Sequence, residues 1–183
     1  MNQLLDKQFK FLSWSDIDQS CLSLYSQMRK ANYVPDAIIG LLRGGVIPAR
    51  MMADYFGIML DFFALDVKLY TGIGTRKEEP VIRYDFKDSD LEGKNVLVID
   101  DIFDSGKTMN AVLEHFKGHN VTTATLFWKE TAKEKPDYYA EISKENEWVV
   151  YPWETMEFKR EMQEKIGTKA QNEKPVIETH RKY

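Results

Sequence analysis

Cysteine is nearly absent from this chain, since Cys21 is the only one among its 183 residues. A single thiol cannot form an internal disulfide, which excludes the disulfide-rich scaffolds of small secreted proteins. The three histidines, His115, His119 and His180, do not combine with Cys21 at the spacings of a zinc site. The histidines are therefore interpreted as surface residues.

Long apolar runs and dense basic runs are also missing. No apolar stretch approaches the roughly 20 residues of a membrane helix, and residues 1–7 lack the apolar core of a signal peptide. The formal net charge is −4, and no cluster of Lys and Arg forms a track for a nucleic-acid backbone. We therefore expect a cytoplasmic protein with no membrane or nucleic-acid partner. A small anion could still bind in a local pocket.

Hydrophobic residues make up 43% of the chain, which at this length suits a single domain over residues 1–183. Short apolar runs alternate with helical patterns. Predicted strands lie at 9–12, 37–42, 58–69, 81–84, 95–100, 121–128 and 148–151. The first predicted helix follows a cap at Ser15 and Asp18. The other predicted helices run from 46 up to Gly57, from about 107 to Gly118, and over 156–162. Residues 69–80 are predicted to form a loop, and 168–183 a charged tail.

This alternation of strands and helices predicts an α/β fold with a parallel sheet covered on both faces. In such folds, ligands bind beyond the carboxyl ends of the strands. Two glycine-bearing motifs, at 43–45 and 104–108, fall at such ends.

The second motif contains Gly106-Lys107-Thr108, the ending of a Walker-type phosphate loop. A Walker loop also needs a glycine five positions before Gly106, because the chain must wrap the phosphates there. That position is Asp101, next to Asp100, and two carboxylates repel a triphosphate. A nucleoside-triphosphate site is therefore the weakest of the interpretations.

A buried strand instead delivers Asp100 and Asp101 to its carboxyl end. Their oxygens suit vicinal hydroxyls, or Mg²⁺ held through water. The following turn, 104–108, opens a helix whose N–H groups, with two hydroxyls, can cradle one phosphate monoester. Together these features predict a ribose 5-phosphate site.

Residues 96–109 resemble the phosphoribosyl pyrophosphate signature of type I phosphoribosyltransferases, and are particularly similar to the 6-oxopurine branch that uses hypoxanthine, guanine or xanthine. Three other segments agree in the same order: 41–45 with the pyrophosphate loop, 127–129 with the purine-contacting lysine, and 148–154 with the base-stacking segment. The resemblance covers about residues 35–155. It implies a parallel sheet flanked by helices, with a small hood formed by terminal segments.

The resemblance also implies a role for each site residue. The pyrophosphate-binding residues are Arg43, Gly44 and Gly45, with a cis peptide between Leu42 and Arg43. The ribose-diol and Mg²⁺ residues are Asp100 and Asp101, with Glu154 as an acidic residue near the metal or the base. The 5-phosphate residues are Ser105, Gly106, Lys107 and Thr108.

The purine side has its own set of implied residues. Asp104 handles the purine N7 proton, and Lys129 meets the exocyclic O6, which favours an oxo group over the amino group of adenine. Trp148 stacks on the base and Val149 offers main-chain contacts, whereas Trp153 is interpreted as packing. In the closing loop, Leu69-Tyr70 stands where many relatives have Ser-Tyr, which leaves Lys68, Arg76 and Lys77 to meet pyrophosphate.

The implied activity is purine salvage, in which a 6-oxopurine and phosphoribosyl pyrophosphate give a 5-mononucleotide and pyrophosphate with Mg²⁺ as cofactor. The implied assembly is a homodimer or a homotetramer. Two alternatives stay open: a non-catalytic regulator that senses phosphoribosyl pyrophosphate, and an enzyme for adenine or a pyrimidine. The sequence does not distinguish among hypoxanthine, guanine and xanthine.

Overall fold

The computed structural model describes residues 8–57, 60–71, 78–84 and 86–172. These residues form two sheets and the helices that cover them. The strands are β1 Gln8–Phe11, β2 Ala37–Leu42, β3 Asp61–Thr71, β4 Glu78–Arg83, β5 Asn95–Phe103, β6 Asn120–Lys129, β7 Tyr138–Ser143 and β8 Glu147–Val150. The α-helices are α1 Trp14–Lys30, α2 Val46–Phe56, α3 Lys107–His115 and α4 Thr155–Asn172, and a 3₁₀-helix spans Asp88–Leu91.

The main sheet has six strands in the order β4-β3-β2-β5-β6-β7. Strands β3, β2, β5, β6 and β7 pair in parallel, whereas β4 pairs antiparallel with β3 as the return strand of a hairpin. The chain order places β2 and β5 side by side at the centre, so the segments that follow them meet at one edge. This is the α/β architecture that the alternation of patterns predicts.

Successive residues of the central strands face two separate cores. Ile38 and Leu97 lie in a core with α1 and α2, while Ile39 and Val98 lie in a core with α3. This alternation explains why the central strands are apolar along their whole length, since both faces of the sheet are covered. The predicted buried face of α1 is confirmed, with Ile17, Cys21, Leu24 and Met28 fully buried.

A second sheet of two strands, β1 and β8, pairs in parallel beside the main one. Helix α4 packs on it, because the Phe158 ring lies 4.9 Å from the Phe9 ring and 5.4 Å from the Phe11 ring. We call β1, β8 and α4 the hood. Terminal segments form it, as the resemblance implies.

The structure corrects the predicted start of α1. The helix cap is Ser13, whose Oγ accepts a hydrogen bond from the Asp16 amide at 3.2 Å, while the Ser13 amide donates to Asp16 Oδ2 at 2.7 Å. The predicted cap at Ser15 and Asp18 is therefore wrong, since both residues lie inside the helix. The reciprocal bonds of Ser13 and Asp16 are a capping box.

Other bounds differ from the predictions as well. Strand β5 continues to Phe103 instead of ending at residue 100, because β6 keeps pairing with it beyond the last rung of β2. Strand β7 was not predicted, and α4 extends well beyond the predicted 156–162. Residues 168–172 of the predicted tail belong to α4, and 173–183 lie outside the described residues. Among the described residues, no helix is long and apolar enough to cross a membrane.

Candidate active site at the carboxyl edge of the sheet

A pocket of about 240 Å³ opens where β5 ends and α3 begins. Ten consecutive residues, 100–109, line it. Because a parallel strand delivers its last residues to the ligand-binding edge and a turn connects it directly to the next helix, one stretch of sequence can wrap one small ligand. The pocket coincides with the predicted ribose 5-phosphate site.

The floor of this pocket is the amino end of α3. Gly106 caps the helix with a φ of 80°, and a Cβ there would lie 2.8 Å from the Phe103 ring. Only glycine combines this left-handed conformation with so close an approach. The amino end of a helix is a favourable place for an anion, because its first amides can donate hydrogen bonds outside the helix.

Asp100 and Asp101 line the same pocket. Burial and the neighbouring negative charge of Asp101 raise the pKa of Asp100, and burial also raises the pKa of Asp101. The Asp101 amide donates to Asp100 Oδ1 at 3.0 Å, which holds the two residues in one arrangement. A crowded pair of this kind is relieved by hydroxyl donors or by a cation.

The loop at residues 43–45 lies against this carboxylate pair. A Cβ on Gly44 would sit 1.8 Å from Asp101 Oδ2, and one on Gly45 would sit 2.5 Å from the Ile99 carbonyl oxygen. The peptide between Leu42 and Arg43 is cis, which confirms that expectation. The two glycines therefore allow the backbone of the predicted pyrophosphate loop to touch the predicted ribose site.

Arg43 extends from this loop toward the hood. Its guanidinium Nη2 lies 3.2 Å from Glu157 Oε1 of α4, and the Arg43 side chain is 83% exposed. Sequence reasoning did not identify Glu157, since the pair is 114 residues apart in the chain. Because an exposed ion pair of this kind is weak, an incoming anion can replace Glu157 as the partner of the Arg43 guanidinium.

The structure brings Asp104 and Lys129 together. Lys129 is the last residue of β6, and its Nζ lies 3.3 Å from Oδ1 of Asp104, which lines the pocket. The lysine side chain is only 13% exposed, whereas the aspartate is 66% exposed. A largely covered ammonium beside an accessible carboxylate offers a hydrogen-bond donor and a proton acceptor side by side.

The hood contributes the predicted base-stacking segment. Trp148 is 43% exposed on β8, while Val149 next to it is buried. Tyr151 follows the strand and donates from its hydroxyl to the Asp101 carbonyl oxygen at 2.9 Å. Its ring stacks on Trp153 at 4.8 Å with an interplanar angle of 10°, so Trp153 packs as predicted. Tyr151 was not predicted as a site residue, although it lies inside the segment that carries the resemblance.

Glu154 lies near the carboxylate pair. Burial, followed by the negative charges of Asp101 and Glu157, raises the pKa of Glu154 to about 7. Across the described ranges, no three His, Cys, Asp or Glu side chains form a group that could hold a metal directly. The donors at this edge are nevertheless carboxylate oxygens, which suit Mg²⁺ bound through water. The metal role of Asp100, Asp101 and Glu154 remains a prediction.

The predicted loop at 69–80 is wrong at both ends, because residues 69–71 belong to β3 and residues 78–80 belong to β4. Lys68 lies on β3 with its Nζ 3.7 Å from Asp66 Oδ2, and Leu69 and Tyr70 continue that strand. Arg76 and Lys77 lie outside the described residues, as does the rest of 72–77. Their contacts with pyrophosphate stay a prediction.

Comparison with known proteins points to one family. A family model described as a phosphoribosyl transferase domain matches residues 12–158. A xanthine-guanine phosphoribosyltransferase of Gluconobacter oxydans is 28% identical, over 79% of this chain and 83% of the relative. A hypoxanthine-guanine phosphoribosyltransferase of Saccharomyces cerevisiae is 27% identical, over 82% of this chain and 86% of the relative. The crystal structure of a purine phosphoribosyltransferase from Pyrococcus horikoshii is 33% identical and superposes with a TM-score of 0.67, over 79% of this chain and 93% of that one.

Proposed function

The chain belongs to the phosphoribosyl transferase domain family, and from that premise we propose that it is a purine salvage enzyme. It joins hypoxanthine, guanine or xanthine to phosphoribosyl pyrophosphate and releases pyrophosphate. The observation that carries the proposal is the contact of Lys129 with Asp104 at 3.3 Å beside the pocket lined by 100–109. A donor suited to O6 and an acceptor suited to a purine proton, next to a phosphate cradle, support this proposal.

The sugar phosphate is held by one continuous segment. The 5-phosphate accepts hydrogen bonds from the first amides of α3 and from the hydroxyls of Ser105 and Thr108. The ribose hydroxyls donate to Asp100 and Asp101; burial raises the pKa of both carboxylates, and for Asp100 the negative charge of Asp101 raises it further.

Pyrophosphate lies over Gly44 and Gly45, where the absence of a Cβ allows main-chain amides to approach it. Arg43 leaves Glu157 and adds a positive charge to the same site. Mg²⁺, when bound, neutralises charge on pyrophosphate, and Asp100, Asp101 and Glu154 are the residues that would hold it through water or ribose hydroxyls.

The purine is held between the hood and the end of β6. Trp148 stacks on its face, Val149 offers main-chain groups to its edge, and Lys129 donates to O6. The base nitrogen N9 forms a bond to C1 of the ribose while the bond from C1 to the pyrophosphate oxygen breaks. The proton on N7 passes to the Asp104 carboxylate, and Lys129 stabilises the charge that develops on O6.

The test is a panel of bases supplied with phosphoribosyl pyrophosphate and Mg²⁺, with nucleotide formation followed for hypoxanthine, guanine, xanthine, adenine, uracil and orotate. Turnover confined to 6-oxopurines is expected. Lys129→Met is the matched variant, because it retains the stem of the side chain and loses the donor for O6. It should lose turnover of 6-oxopurines without gaining that of uracil or orotate.

If phosphoribosyl pyrophosphate binds and no base reacts, the chain is a sensor of that metabolite and the proposal is wrong. The homodimer or homotetramer that the resemblance implies stays a prediction, as does the cytoplasmic location that the sequence composition predicts. Equilibrium sedimentation of the purified chain tests the assembly.

A further inference from the structure

A charged side chain of the hood reaches the far strands of the main sheet. Lys10 lies on β1, and its Nζ is 2.7 Å from Glu141 Oε2 on β7. The same ammonium lies 4.9 Å above the centre of the Phe127 ring on β6. Lys10 precedes the part of the chain that carries the family resemblance, so the resemblance implies no role for it.

Both contacts fall on one rung of the main sheet. Phe127 and Glu141 are paired residues of the parallel strands β6 and β7, so their side chains share a face. Lys129 stands two residues beyond Phe127 on the same strand, and therefore on that same face. Lys10 thus holds a fixed position relative to the end of β6.

On the hood side, Lys10 is the paired residue of Val149. Strand β8 has four residues and pairs with β1 in a sheet of two strands, an arrangement that is marginal without further packing. The position of Val149 therefore depends on what fixes β1. Lys10 fixes β1 relative to the main sheet, because it connects the Lys10–Val149 pair of the hood to the Phe127–Glu141 pair of β6 and β7.

We propose that Lys10 is a positioning residue for the purine subsite, setting the separation between the Val149 main chain and the Lys129 ammonium. This inference rests on the proposed function, since it concerns the two groups that hold opposite edges of the base. The two contacts of Lys10, with Glu141 and with the Phe127 ring, lie outside the phosphate cradle of 100–109. Loss of Lys10 therefore weakens binding of the base and leaves binding of phosphoribosyl pyrophosphate intact.

The test compares Lys10→Met, Lys10→Arg and Glu141→Gln with the wild-type chain. Lys10→Met retains the apolar stem and removes both the ion pair and the cation–π contact, so the KM of the 6-oxopurine should rise about tenfold. Lys10→Arg should restore most of the loss, because a guanidinium can both pair with a carboxylate and lie over a ring. Glu141→Gln removes only the ion pair and should give an intermediate value. The KM of phosphoribosyl pyrophosphate should stay within about twofold in all three.

Lys94→Met is the matched control. Lys94 pairs with Asp61, and the two side chains are 30% and 54% exposed, compared with 33% and 43% for Lys10 and Glu141. Lys94 precedes β5, at the end of the sheet away from the pocket. Its loss should lower the midpoint of thermal unfolding by an amount similar to that of Lys10→Met, with both KM values unchanged.

Binding of hypoxanthine, guanine and xanthine is also measured by calorimetry in the presence of Mg²⁺ and pyrophosphate, which requires no turnover. The inference is wrong if Lys10→Met binds the base as the wild type does, or if both KM values rise together. If the wild-type chain binds and converts none of the three bases, the proposed function fails and the inference fails with it.

Discussion

The phosphate half and the purine half of the site are built in opposite ways. The phosphate half is a continuous stretch, 100–109, supported by the adjacent loop at 43–45. The purine half combines the end of β6 with β8, and β8 is held by β1 from the start of the chain. A continuous segment fixes its geometry through local backbone, whereas a composite site depends on contacts between distant segments. We therefore expect substitutions in the two halves to affect different kinetic constants.

The largest effect is expected from Gly44→Ala, which damages the phosphate half. The added Cβ would lie 1.8 Å from Asp101 Oδ2, so the carboxylate or the loop must move by an ångström or more. Displacement of that size lowers kcat/KM by more than about 100-fold and abolishes measurable binding of phosphoribosyl pyrophosphate. Steady-state kinetics and calorimetry provide the measurement.

Gly93→Ala is the control for this variant. Gly93 has a φ of 71°, and a Cβ added there would meet nothing within 4 Å, so alanine strains the backbone without touching the site. It should reduce stability by about 1 kcal/mol and retain activity. A Gly44→Ala protein that binds phosphoribosyl pyrophosphate normally would contradict the placement of the pyrophosphate loop.

Asp104→Asn should separate chemistry from phosphate binding. Asp104 lies within the continuous stretch, but its partner is Lys129 of the purine half. An amide cannot take the N7 proton, so turnover should fall roughly 100-fold while phosphoribosyl pyrophosphate binds nearly as before. Asp88→Asn, in the 3₁₀-helix and outside the pocket lining, is the control and should leave kcat unchanged. Unchanged turnover in Asp104→Asn would remove that residue from the mechanism.

Trp148→Leu tests the purine half alone. The indole is 43% exposed on β8 and is proposed to stack on the base, so its loss should raise the KM of the 6-oxopurine about tenfold with little change for phosphoribosyl pyrophosphate. Trp14→Leu, at another exposed tryptophan, serves as the control. A selective rise in the KM of phosphoribosyl pyrophosphate would contradict the assignment of Trp148 to the purine half.

The smallest effect is expected where the two halves meet. Tyr151→Phe retains the ring that stacks on Trp153 and removes the hydrogen bond to the Asp101 carbonyl. The free energy of unfolding in urea should fall by about 1 kcal/mol, and both KM values should rise together by less than about fivefold. Tyr25→Phe on α1 is the control. If only one KM changes, Tyr151 supports one half and does not join them.

The same contrast explains what the sequence can predict. The carboxylate pair, the turn and the start of α3 follow one another in the chain, so a pattern of strand, turn and helix locates them together. The resemblance adds the cis peptide before Arg43, which the structure contains. Asp104 and Lys129 were assigned separately to the same purine, and the structure places them in contact.

The remaining features depend on packing between distant segments. Two overlapping capping-box patterns both fit the start of α1, namely Ser13 with Asp16 and Ser15 with Asp18. Only the hydrogen bonds in the structure distinguish them. Strand β7 was missed because it lies at the edge of the sheet, where its burial follows no clean alternation. The Lys10 contact with Glu141 spans 131 residues and leaves no local signal in the sequence.

The most direct measurement follows both products from the wild-type chain given Mg²⁺, phosphoribosyl pyrophosphate and a single 6-oxopurine. If the proposed function is right, purine 5-mononucleotide and pyrophosphate appear in equal amounts, and neither forms when the base is omitted. Pyrophosphate released without nucleotide, or binding of phosphoribosyl pyrophosphate with no product at all, would contradict it.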